Sequence, residues 1–177
     1  MKLFLLEANE MTVPPRILNW YDKVAPGPMT PEKFHKLSRF TNIRVETLSG
    51  TKFPDMVSYP RFMVTNKFTE LLRAYEPSVV VKYIIMIDKQ NKRSQMYAMP
   101  EIPTITCLSD QSELSINRST VKNIVIKEEK VKGRKLFQIG DVTSQYVVAE
   151  LHLVESLLRR EMTGLSIQEI PLCREGE

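Results

Sequence analysis

The sequence has few of the residues that most metal and disulfide sites require. It contains only two cysteines and two histidines among 177 residues. Cys107 and Cys173 stand far apart and form no CxxC pair, so the spacing predicts neither a zinc ribbon nor a disulfide framework. His35 and His152 lack a second histidine at the HxxxH or HExxH spacing of metal sites. We therefore expect no metal ion, and the cysteine usage favours a reducing, cytoplasmic compartment.

Signatures of catalysis and of cofactor binding are missing as well. The six glycines occur singly, and neither GxGxxG nor GxxxxGK is present, so the common phosphate-cradling loops are not indicated. No GxSxG elbow or cysteine signature marks a nucleophile, although a Cys107–histidine pair brought together by the fold stays open. The sequence thus predicts that the protein is not an enzyme and binds no cofactor.

Long apolar runs and a long basic block are also absent. The N-terminal stretch MKLFLLEANE is shorter in apolar residues than a secretory signal, and no 18-residue apolar stretch occurs, so we expect no membrane span. The 25 basic residues are spread among 21 acidic ones, for a net charge of +4. Nucleic-acid binding is therefore not favoured. The most basic segment, KEEKVKGRK over 127–135, contains no aromatic residue and predicts a charged hairpin turn.

Two stretches of the chain look like loose copies of each other. They are RFMVTNKFTELLRAY, starting at Arg61, and QYVVAELHLVESLLRRE, starting at Gln145. Each has a short apolar run, then apolar residues at helical spacing, then a second apolar run, which predicts strand, helix, strand. The alternative is coincidence, because leucine-rich amphipathic helices are common.

The remaining patterns predict an α+β fold. We expect a first strand over 2–7, a helix over 31–39 that begins at Thr30-Pro31-Glu32, a half-buried strand over 42–48 and a central strand in SVVVKYIIMID with QMYAMPEIPTIT as its antiparallel partner. We also expect a helix over roughly 150–161 with Leu151, Val154, Leu157 and Leu158 as its apolar stripe and Gly164 just past its end, then a strand in LSIQEI and a loose tail in PLCREGE. The predicted architecture is a mostly antiparallel sheet with two or three helices packed on it and two pseudo-related strand–helix–strand units. We expect a main domain over 51–172, with residues 1–50 as part of the same domain.

Five residues in loops are candidates for an interaction or ligand site. Asp55 stands in a proline-flanked loop close to Tyr59 and Arg61, and a loop acid beside these groups is a possible ligand site. The alternative for Asp55 is an acid that caps a turn. Trp20 and Tyr21 lie in a proline-rich loop and are candidates for a protein contact, the alternative being packing of that loop on the core.

Several segments together resemble a family of small bacterial immunity proteins of polymorphic toxin systems. The segments are FPDMVSYPRFMVTNKFTELLRAYE, CLSDQSEL, GRKLFQIG and VVAELHLVESLLRREMTGLSIQEI, within 52–170. The residues at matching points are Phe53, Pro54, Asp55, Val64, Thr65, Cys107, Leu108, Ser112, Phe137, Val148, Glu150, Thr163 and Gly164. The chain departs from the pattern at Ala149, where serine or threonine is common, and in CLSD, which lacks the acid directly after leucine.

The resemblance implies a cytoplasmic inhibitor that binds a cognate toxin and blocks it sterically, with no chemistry of its own. The family has no established catalytic residues, so none is carried over. The alternatives are a structural or regulatory protein of a phage or mobile element, and an enzyme with a dispersed site around Asp55, Tyr59 and Arg61.

Overall fold

The computed structural model of the chain describes residues 1–174, which divide into two compact units. The central unit comprises residues 8–101 and 162–165, and the terminal unit comprises residues 1–7, 102–161 and 166–174. The chain therefore passes between the two units four times. The sequence-based boundary between residues 50 and 51 falls inside the central unit.

The described residues form fifteen strands, four α-helices and one 3-10 turn. The strands are β1 (Leu3–Ala8), β2 (Arg16–Ile17), β3 (Phe40–Glu46), β4 (Met56–Val57), β5 (Met63–Val64), β6 (Val81–Asp88), β7 (Arg93–Pro100), β8 (Thr104–Ile105), β9 (Glu113–Leu114), β10 (Val121–Asn123), β11 (Ile126–Lys127), β12 (Leu136–Ile139), β13 (Val147–Glu150), β14 (Leu165–Ile170) and β15 (Leu172–Cys173). The helices are α1 (Pro31–Lys36), α2 (Asn66–Tyr75), α3 (Glu128–Val131) and α4 (Leu151–Arg159), and the 3-10 turn is Trp20–Asp22. Pairing is mostly antiparallel, so the predicted α+β class is confirmed.

The central unit is built on a six-stranded sheet in the order β2-β3-β6-β7-β5-β4. β3 and β6 are parallel, whereas the other neighbours are antiparallel. The prediction that SVVVKYIIMID is a central strand is confirmed, because β6 pairs with β3 on one side and β7 on the other. One face of this sheet carries the core, which comprises Trp20, Val24, Phe34, Ile43, Val45, Val57, Met63, Ile84, Met86, Tyr97 and Met99.

Helix α1 begins where the sequence signal places it and ends early. The Thr30 hydroxyl accepts a hydrogen bond from the Lys33 amide at 3.3 Å, and Pro31 occupies the first helical position, where no amide is needed. Leu37 has an extended conformation, so the helix ends at Lys36 rather than at the predicted residue 39.

The terminal unit is built on a five-stranded sheet in the order β14-β1-β13-β12-β8. The first strand of the chain, predicted over 2–7, is confirmed as β1, and it lies between β14 and β13. Two short pairs, β9 with β10 and β11 with β15, complete the unit. The core comprises Leu3, Leu5, Cys107, Ile126, Val131, Phe137, Ile139, Val142, Val148 and Ile170.

Two predictions about the second half of the chain are wrong. The charged segment 127–135 is not a hairpin turn, because it contains the short helix α3 and its flanking strands do not pair with each other. The preceding strand β11 pairs in parallel with β15, and the following strand β12 pairs with β13 and β8. The tail after residue 170, expected to be loose, forms β15 at Leu172–Cys173, and its last three residues lie outside the described part.

Helix α4 has a different buried face and a different end from those predicted. Its buried residues are Leu153, Val154 and Leu157, whereas Leu158, which was assigned to the apolar stripe, is exposed. The left-handed residue after the helix is Glu161, with φ 52°, and not Gly164. Gly164 also has a positive φ, of 76°, but it serves a close approach described below.

The two helices α2 and α4 sit in comparable strand surroundings within their own units. α2 lies between β5 and β6 in the chain, and β7 separates these two strands in the sheet. α4 lies between β13 and β14 in the chain, and β1 separates these two strands in the other sheet.

Candidate functional site

A cleft of about 320 Å³ opens in the central unit beside both edge strands of its sheet. Its lining residues are Ala8, Asn9, Thr12, Pro14, Pro15, Arg16, Ile17, Pro54, Met56, Val57, Ser58, Tyr59 and Gly164. Arg16 and Ile17 form β2, and Met56 and Val57 form β4, which are the first and last strands of the sheet. The cleft therefore lies against both edges of the six-stranded sheet.

Gly164 is required where the segment 162–165 runs alongside β4. A Cβ at this position would lie 2.3 Å from Cβ of Pro54 and 2.9 Å from the carbonyl oxygen of Met56, and φ is 76°. Only glycine tolerates both the conformation and the approach. The carbonyl oxygen of Gly164 accepts a hydrogen bond from the Asn9 amide at 3.0 Å, which ties the segment to the loop on the other side of the cleft.

The walls of the cleft are mainly apolar, with a few polar groups at its mouth. Arg16 is the only charged residue among the described lining residues, and its Nη1 lies 3.3 Å from Oε2 of Glu46. Both side chains of that pair are exposed to solvent, so the ion pair contributes little to stability. Tyr59 is 73% exposed and follows Ser58 along the rim. Such a concave, mostly apolar surface with few polar groups is typical of a binding site.

The carboxylate of Asp55 lies next to this cleft but is used within the protein. Its Oδ1 accepts a hydrogen bond from the Thr65 hydroxyl at 2.7 Å. Its Oδ2 accepts from the amide and from the hydroxyl of Thr163, both at 2.9 Å. The backbone of Asp55 adds bonds to the same two threonines. The side chain therefore fastens the segment 162–165 to the start of α2, which Thr65 precedes.

These contacts also keep Asp55 ionised. Burial alone would raise the pKa of Asp55, but the hydrogen bonds from Thr163 and Thr65, together with the positive charge of Lys67, outweigh burial and lower the pKa below its usual value. A carboxylate with a lowered pKa and three hydrogen-bond donors is a poor proton acceptor at neutral pH. Of the two sequence-based interpretations of Asp55, the geometry favours the acid that holds a turn.

Arg61 and Tyr21 lie at a second place in the central unit. The guanidinium of Arg61 donates to the carbonyl oxygen of Gly27, which fixes the loop before α1. Burial lowers the pKa of Arg61, and the neighbouring Tyr21 partly opposes that shift. Tyr21 is exposed. Asp55 and Arg61 thus bond to different parts of the unit.

Trp20 is a core residue. Its side chain is 4% exposed and packs in the central core, whereas Tyr21, the next residue, points to solvent. The loop that carries them is therefore packed on the core, as one of the two sequence-based interpretations has it. Of the five candidate residues, Tyr59 is the one that lines the cleft.

The sequence patterns did not indicate the other wall of the cleft, which residues 8–17 form. The signal available was Pro14-Pro15 followed by Arg16 and Ile17, since proline beside a short strand is typical of a sheet edge. Nothing in the sequence indicates that this edge faces β4, because the two strands are about 40 residues apart and share no pattern.

The terminal unit contains a buried thiol, Cys107, and a carboxylate with two close partners, Glu150. Cys107 is buried, which raises the pKa of its thiol to about 12, and the carboxylate of Asp141 adds to the shift. Glu150 accepts hydrogen bonds from Lys135 at 2.9 Å and pairs with Nδ1 of His152 at 2.7 Å. Cys107 is therefore a neutral thiol at neutral pH, and Glu150 links the end of β13 to the residue before β12.

Within residues 1–174, no three cysteine, histidine or acidic side chains group closely enough to hold a metal ion. None of the helices in that range has the length and apolarity that crossing a lipid bilayer requires. Comparison with protein-family models gives no match, and comparison with curated proteins gives no significant match. The likeness to immunity proteins therefore stays a prediction from residue patterns.

Proposed function

We propose that this protein is a non-enzymatic binding protein of the immunity type, which acts in the cytoplasm of a bacterium and neutralises a cognate toxin by covering its working surface. The observation that carries the proposal is the preformed cleft of the central unit together with the exposed apolar side chains around it. A surface of this kind takes up a side chain of a partner without chemistry of its own.

Exposed apolar residues lie on the loops that form the cleft. Met11 and Val13 alternate with the lining residues Thr12 and Pro14, and Met11 is 93% exposed. Tyr59 stands on the opposite side, where an aromatic ring provides contact area at low entropic cost. Large apolar side chains that are exposed to solvent around one cleft favour a protein-binding role.

The positions of the candidate acid and base also favour binding over catalysis. Asp55 is satisfied by Thr65 and Thr163, and Arg61 donates to Gly27, so both side chains act as internal fasteners. An enzyme with a site dispersed around Asp55 would need one of these bonds to break before substrate could bind.

The two strand–helix–strand units belong to the same proposal. Each helix, α2 and α4, follows a short strand and precedes a strand two places along in its sheet. This likeness supports the prediction that the units are pseudo-related, as in the family that the sequence resembles.

Co-expression with the product of the neighbouring gene tests the proposal. We expect rescue of growth and a co-purifying complex for the wild-type chain, and weaker rescue for Tyr59→Ala and Met11→Ser. Leu158→Ser, which also changes an exposed apolar residue but lies on α4, is the control and should behave as wild type. Toxicity that this protein does not change would contradict the proposal.

A further inference from the structure

The outer face of the central sheet carries an apolar row that is separate from the cleft. Successive residues of a strand point to opposite faces, and Ile43, Ile84 and Tyr97 point into the core. The residues between them therefore point outward. The outer row consists of Phe40 on β3, Tyr83, Ile85 and Ile87 on β6, and Met96 on β7.

The strand register makes these side chains neighbours. Phe40 is opposite Tyr83, and Ile85 is opposite Met96. The rings of Phe40 and Tyr83 are stacked with centroids 5.2 Å apart and planes 17° apart. Phe40 is 50% exposed and Met96 is 39% exposed, while the members on β6 are half-buried between them. The outer row is thus continuous across three strands of the sheet.

The described contacts leave this part of the face open. Helix α2 packs on β5 and β7 and covers the other end of the sheet, and its Arg73 reaches the hydroxyl of Tyr83 at 3.5 Å. The accessibility of Phe40 and Met96 remains after all described residues are in place. A solvated apolar row on a well-paired sheet is typical of an interaction surface.

Three arginines surround the outer row. Arg39 lies 5.5 Å from the ring centroid of Phe40, Arg44 is the exposed residue four positions further along β3, and Arg73 contacts Tyr83. Among residues 1–174, none of these three guanidinium groups lies within ion-pair distance of a carboxylate. Glu46, the acid on the same face of β3, is paired with Arg16. The surface therefore has an apolar centre and an unbalanced positive rim.

We propose that the outer row binds an acidic protein surface with an apolar centre. The charges on a partner would complement the three arginines, which steers association and fixes its orientation. A second copy of this chain fits poorly, because a face-to-face pair would bring six arginines together. Single-stranded nucleic acid fits poorly as well, because bases need open ring faces to stack on. The ring of Phe40 stacks on that of Tyr83 and has the guanidinium of Arg39 5.5 Å from its centroid, and Tyr83 has Phe40 and Ala98 as its cross-strand neighbours.

The probe for the test is an extended peptide in which glutamate alternates with leucine and phenylalanine. Protein-observed NMR with this peptide should shift amides of β3, β6 and β7 that carry the outer row. The same peptide with lysine in place of glutamate should shift them far less. Affinity for the acidic peptide should fall as salt is added, since the rim charges are exposed.

Matched variants locate the site. Arg44→Glu should weaken binding of the acidic peptide about fivefold, whereas Arg159→Glu, the same charge change at an exposed residue of α4, should leave it unchanged. Phe40→Ser and Met96→Ser should weaken binding, and Leu48→Ser, an exposed change off the outer row, should not. Circular dichroism and thermal unfolding confirm that each variant is folded.

The outcomes separate this proposal from its rivals and from the proposed function. Equal shifts with both peptides, or shifts that map away from the outer row, overturn it. Tighter binding of oligothymidylate, or of phosphatidylglycerol vesicles, than of the acidic peptide also overturns it, as does a dimer whose interface is this face. Because the peptide test needs no toxin, failure of toxin neutralisation leaves its result intact.

Discussion

Exchanging Asp55 for asparagine removes one charge while preserving the size of the side chain, and it tests whether this residue holds the segment 162–165. The carboxylate accepts three hydrogen bonds, one from Thr65 and two from Thr163. An asparagine has a single acceptor oxygen. The best arrangement keeps that oxygen on Thr163 and turns the amide toward the Thr65 hydroxyl, which can accept.

The magnitude follows from the change in bond type. A hydrogen bond to a charged group contributes about 1.5–3 kcal/mol, against about 0.5–1.5 kcal/mol for a neutral one. Each of the three bonds thus loses about 1 kcal/mol, and we expect the free energy of unfolding to fall by about 2–3 kcal/mol at pH 7. Asp110→Asn is the control, because Asp110 is fully exposed and its contact with Lys127 is 3.9 Å long.

Urea unfolding followed by circular dichroism measures the loss, and hydrogen exchange of the Thr163 amide shows whether it is local. The pKa of folded Asp55 is lowered, so its stabilisation is complete above the unfolded pKa of about 3.9 and fades as pH falls further. The difference between wild type and variant should therefore shrink below about pH 4. A loss at pH 7 no larger than that of Asp110→Asn, or a difference that grows in acid, would refute the reasoning.

Two further predictions follow from Gly164 and Cys107. Gly164→Ala should lower the free energy of unfolding by about 2–5 kcal/mol in urea, because left-handed backbone costs about 1–2 and the clash adds about 1–3. Gly133→Ala, with φ 79° and nothing within 4 Å of the new Cβ, should lose only the backbone part. Because burial raises the pKa of Cys107 to about 12, its thiol should react with a disulfide reagent at pH 8 only slowly in the folded protein and quickly in urea. Rapid labelling without denaturant would contradict the burial.

The predictions from sequence succeed where a pattern is local. β1 was recognised from a short apolar run, β14 from apolar alternation, and β6 with β7 from two apolar runs joined by a polar turn. The start of α1 was recognised from Thr30 and Pro31, because capping needs only neighbouring residues. The buried face of α4 was predicted less well, since Leu151, Val154, Leu157 and Leu158 all fit a helical stripe and only packing decides which residues are covered.

The candidate site shows the same division. Residues 53–61 were singled out from their composition, and Tyr59 does line a cleft there. The partner of Asp55, however, is Thr163, which lies 108 positions further along the chain. No periodicity predicts that contact, because it depends on which strands become neighbours.

By itself the sequence determined the α+β class, most of the longer strands and the absence of familiar catalytic motifs, because propensity and periodicity act over a few residues. Only the tertiary structure decided that the sheet edges β2 and β4 share a cleft, that Asp55 is an internal fastener, and that Phe40 and Met96 stay in solvent on one face. These outcomes depend on strand order and on burial, and both are properties of the whole chain rather than of any segment.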